Sequence, residues 1–140
     1  MSEIKVDTLT GKTTAKTVTV TVGATATQSL EQGLAKSWAS INQTSTDHPV
    51  YDSLNVSVTA DVAEGVTKIT FSNPMNNALY GLTGGAQTEA TSASYFGTYG
   101  VNTSTSRQMT AAHFHTSNRN TSGTDKDIIY FAFAVHGDIA

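Results

Sequence analysis

The sequence predicts an all-β chain: an antiparallel β-sandwich of jelly-roll kind, with an extended N-terminal arm and one short helix. Three observations predict it. Apolar and polar residues alternate with a period of two at Val18, Val20 and Val22 and again at Leu54, Val56 and Val58, which is the strand period. Threonine is the commonest residue, with 24 copies, and serine adds 14, a composition suited to strands and turns. Charged residues make up 14% of the 140, well below the roughly 25% of an average soluble domain.

The elements follow in order. Residues 1–23 read as an extended arm. Its apolar stripe is Ile4, Val6, Leu9, Val18, Val20 and Val22, with Thr17, Thr19 and Thr21 opposite the last three. Such a stripe cannot build a core alone, so burying it needs a second copy of the chain or a larger assembly. Residues 24–140 form the sandwich domain. Leu30, Leu34, Trp38 and Ile41 are spaced as one helix face, predicting a short helix weakened by Gly33 that lays Trp38 into the core. Residues 51–60 and 66–72 alternate as strands, joined by a loop over 61–65 that ends in glycine. Pro74 stops the second of these, because proline cannot donate to a ladder. Residues 78–83 and 109–116 read as further strands, and 118–126 as a turn. Residues 128–135 (IIYFAFAV) are the most apolar run and predict the central buried strand. Short strands separated by polar turns give an antiparallel sandwich.

Composition also narrows function. The net charge is −3, with no basic run, which argues against nucleic acid as a partner. With no cysteine there is neither a disulfide framework nor a thiolate metal site. No apolar stretch approaches the roughly 20 residues of a membrane span. The N-terminus lacks the apolar stretch of a signal peptide, so the chain is expected to be made and assembled in a cytoplasm. Catalysis looks poor: carboxylates are scattered, no GxSxG motif is present, and Gly81–Gly85 (GLTGG) lacks the lysine of a phosphate-cradling loop. The expectation is a protein that is not an enzyme and needs no cofactor.

Two groups of side chains remain candidates. His113 and His115 flank Phe114 in a strand, so both imidazoles share one face, where copies around a three-fold axis would surround a metal ion. The plainer reading is a solvent-facing or hydrogen-bonded pair. Tyr95, Phe96 and Tyr99 lie in a glycine-rich stretch and suit sugar stacking or receptor contact. The plainer reading is that they pin the loop to the sheet or to a neighbouring subunit. His48, beside Pro49, reads as a surface residue, and His136 as a polar end to the last strand.

Three stretches together carry a family resemblance. SEIKVDTLTGKTTAKTVTV resembles the openings of bacteriophage fibre proteins, where an IKVDT-type segment leads into a β-rich stalk. QSLEQGLAKSWASIN followed by DSLNVSVTADVAEGVTKITFSNPMNNALYGLTG resembles a small domain of tail-fibre proteins from marine phages, and IIYFAFAVHGD its final core strand. The resemblance covers about residues 2–84 and 108–138. It implies a structural virion protein, a homotrimer that contacts other tail or capsid proteins through its arm and displays its sandwich to a host glycan or surface protein. It carries over no catalytic residue. Alternatives are a head-decoration or head-fibre protein, or a free carbohydrate-binding module, which has little use for the arm.

Overall fold

The computed structural model describes residues 8, 18–22, 26–87, 108–120 and 122–140. Ile4, Val6, Leu9, Tyr95, Phe96 and Tyr99 lie outside them. The chain divides into two compact units, Met1–Leu34 and Ala35–Ala140, so the division falls beyond the expected boundary at residue 23.

In the first unit, β1 (Thr19–Val22) and β2 (Ala26–Ser29) pair antiparallel, and α1 (Leu30–Gly33) follows at once. The alternating segment Thr19–Val22 is therefore one half of a hairpin and not a single extended arm. Leu30 N–H donates to the Val18 carbonyl at 2.8 Å, tying the helix start back to the strand pair.

The second unit is all-β. Its strands are β3 (Ser37–Ile41), β4 (Val50–Leu54), β5 (Val56–Ala63), β6 (Val66–Phe71), β7 (Gly81–Gln87), β8 (His113–His115) and β9 (Tyr130–His136). They form two antiparallel sheets packed as a sandwich, ordered β4-β3-β9-β7 and β5-β6-β8. The core between them is Ala39, Ile41, Phe131, Phe133 and Val135 from the first sheet and Ile69, Phe71 and Phe114 from the second, with Met75, Tyr80 and Ile128. Phe114 meets Phe133 edge-on at 5.0 Å between ring centroids, a favoured aromatic geometry.

The most apolar run forms β9, an interior strand of its sheet, as expected. The expected helix is corrected. Among the described residues the helix is confined to Leu30–Gly33, and Trp38 and Ile41 lie in a strand on opposite faces. Their four-and-three spacing arose by chance in a segment whose real period is two: Ser37, Ala39 and Ile41 are buried, while Trp38 is 37% exposed. Trp38 is thus not a core residue.

The expected single strand over 51–60 is also two. Asn55 adopts a left-handed backbone (φ 56°) between β4 and β5 and passes the chain from one sheet to the other. Asparagine tolerates this conformation better than most side chains. Its amide donates to the carbonyls of Lys36 (3.1 Å) and Asn73 (3.0 Å), and its oxygen accepts from Asn73 N–H at 2.6 Å. The β5–β6 turn is tighter than predicted, with Glu64 and Gly65 between paired Ala63 and Val66. Gly65 (φ 70°) is required there, because a Cβ would lie 2.6 Å from both the Asn118 carbonyl oxygen and Lys126 nitrogen. Residues 81–85 are strand, and the strand expected over 109–116 contracts to β8.

Candidate functional site

Strand alternation at β8 buries Phe114 and turns His113 and His115 to the other face of the three-stranded sheet. The two rings meet edge-to-face at 5.5 Å, so the expected shared face is real. Both rings are hydrogen-bonded, as the plainer reading allowed, and His113 is half-buried. His115 is buried, with Nδ1 3.1 Å from both the Gln108 nitrogen and carbonyl oxygen. His113 Nδ1 lies 3.1 Å from the Thr110 hydroxyl. Beneath them, Tyr80 donates its hydroxyl to the carbonyls of Thr110 (3.1 Å) and His113 (3.2 Å), and burial pushes its phenol well above its ordinary pKa. Burial first, then the charges of Lys68 and His115, hold the His113 imidazole below its ordinary value. Lys68 sits opposite His115 in the ladder, and its cation opposes a metal dication at this position. Among the described residues no group of three or more His, Cys, Asp or Glu converges as metal ligands.

A cluster of buried polar side chains, which no pattern in the sequence marked, is the second group brought together by the fold. Gln43 Nε2 donates to the Thr67 hydroxyl at 2.9 Å, and Asn118 Nδ2 donates to Gln43 Oε1 at 2.6 Å. His48 is not the surface residue expected. It is 1% exposed, with Nδ1 2.6 Å from the Thr67 hydroxyl and Nε2 3.6 Å from an Asp61 oxygen. Left-handed backbone at Asp47 and His48 turns the ring inward. Hydroxyl, imidazole and carboxylate in series resemble the order of a nucleophile relay. Here the Thr67 hydroxyl is fully buried and already bonded to Gln43, so no substrate reaches it. The cluster is a structural polar core, in which each bond spares a buried group its desolvation cost.

The outward face of the four-stranded sheet is the other candidate. A bulge between Ser40 and Ile41 releases Tyr51 from the ladder, and its ring meets that of Tyr130 at 5.5 Å. Further along, Trp38 pairs with Leu54 on one side and Ala134 on the other, and Ala134 pairs with Thr83. Between these ends runs a row of small residues, Ser40, Ala132 and Gly85, flanked by Asp52. Alternation along β9 contains this pattern, but only the sheet order shows that Tyr51, Tyr130 and Trp38 share a face.

In the N-terminal unit, Val20, Ser29, Leu30, Gly33 and Leu34 line a pocket of about 190 Å³, with Val20 and Leu34 exposed. No family model, curated protein or solved structure matches this chain.

Proposed function

We propose that this chain is a structural virion protein of a bacteriophage, a tail-fibre or fibre-like component. It docks to other virion proteins through its N-terminal unit, assembles as a trimer, and displays its sandwich outward for host attachment. The observation that carries the reading is how the chain is divided. Among the described residues, every member of the apolar core lies in Ala35–Ala140, so the sandwich builds its interior from its own unit. The first unit instead leaves Val20 and Leu34 exposed beside an apolar pocket, surface that a partner would cover. The resemblance of the opening residues to phage fibre proteins supports the same role.

Deleting residues 2–34 tests this. The remainder is expected to melt cooperatively at nearly the full-length temperature yet fail to enter particles during infection. Normal incorporation of the truncated chain would sink the docking role.

A further inference from the structure

Among the described residues, the exposed aromatic side chains are Trp38 (37%), Tyr51 (54%) and Tyr130 (49%), and all three lie on the outward face of the four-stranded sheet. Tyr51 and Tyr130 stand at one end, and Trp38 with Leu54 at the other. Tyr130 and Ala134, the β9 partner of Trp38, are four residues apart, about 13 Å of strand. The floor between is Ser40, Ala132 and Gly85, too small to obstruct a ligand lying across it.

We propose that this face binds a neutral carbohydrate chain. The rings stack on the C–H faces of sugar units, and Ser40, Asp52 and Thr83 meet their hydroxyl groups. This names the class of host molecule the display surface takes, and it rests on the display reading for its biological purpose.

Two observations select this occupant. The first is charge: the cross-strand rows that make up the face carry one formal charge, Asp52, so neither a nucleic acid nor an anionic polymer finds cations there. The second is area. Four strands of five to seven residues give a face of roughly 400 Å², about half of what each partner buries in a standard protein interface. A second copy would be held poorly, whereas an oligosaccharide needs no more than this.

Trp38 is the only tryptophan in the chain, so its fluorescence reports on this face directly. The experiment titrates the purified full chain with four neutral polysaccharides: laminarin, dextran, yeast mannan and galactan. A saturable change in Trp38 emission is expected with at least one. Tyr130→Ala is expected to weaken that binding about tenfold, equivalent to about 1.4 kcal/mol, without altering the melting temperature. Val58→Ser, at an exposed position on the other sheet, is expected to leave it unchanged. No saturable change with any of the four overturns the proposal, as does equal affinity in Tyr130→Ala. Emission that follows protein concentration and ignores sugar also overturns it, giving the face to a second copy. The titration involves no particles, so its failure and the failure of the docking role are read separately.

Discussion

Asn55 does at one position what several residues share elsewhere: it reverses the backbone hand and bonds to both neighbouring segments. Asn55→Ala removes two donated bonds and one accepted bond and places a Cβ without compensation in the left-handed region. We expect a loss of about 2–4 kcal/mol in denaturant unfolding, with Asn55→Gly recovering only the backbone part. In the sequence Asn55 lies within one alternating run over 51–60; its corner role depends on the Lys36 and Asn73 carbonyls, which are distant in sequence. His113 gives a second prediction at this scale. Its folded-state pKa lies below its ordinary value near 6.5, so the unfolded chain takes up more protons just below that pH. Stability should therefore be level above about pH 7 and decline as pH falls through 6.5, until the folded imidazole also protonates. Melting curves between pH 7.5 and 5 should show part of that decline missing in His113→Gln. An unchanged pH profile in the variant would refute the assignment.

At the scale of elements, the β5–β6 turn is anchored by contacts far along the chain. Gly65 N–H donates to Asp127 at 2.6 Å, and Asn118 N–H donates to the Gly65 carbonyl at 2.9 Å. Gly65→Ala forces a Cβ into two backbone atoms as well as straining φ. We expect it to cost roughly 3–4 kcal/mol, read from the shift in the urea midpoint. Gly123 has a similar φ of 78° but open space where its Cβ would lie, so Gly123→Ala should cost only about 1 kcal/mol from backbone strain. The glycines look alike in sequence, and their difference comes from what the fold packs beside each. The same applies to β3: its helix-like spacing was legible but misleading, because pairing with β4 and β9 overrode a local pattern of only four residues.

For the whole molecule, the edges of the sandwich matter most. Among the described residues, β4 and β7 end one sheet and β5 and β8 the other, and β5 is an eight-residue edge bearing exposed Val58 and Val62. Such edges invite pairing with other chains unless an assembly covers them. In the trimer proposed above, neighbouring copies would cover them, so light scattering of the purified chain is expected to give a mass near three times 14.7 kDa. A monomer at all concentrations would count against the fibre reading and favour a protein that assembles only on its platform.

By itself the sequence determined the class of fold and most of the strands. Alternation at Val66–Phe71 and the apolar run at Tyr130–His136 are local patterns, and burying them in a sheet satisfies them wherever the rest of the chain goes. It also paired His113 with His115, since a period of two places both on one face. Which sheet each strand joins, the corner at Asn55, the burial of His48 and the outward turn of Trp38 were decided by tertiary structure. Each depends on a partner far away in sequence: the Asn73 carbonyl for Asn55, Thr67 for His48, Leu54 and Ala134 for Trp38. A residue's own neighbours set its preferred backbone, but what its side chain meets is set by segments that pattern and composition leave unplaced until the sheets close.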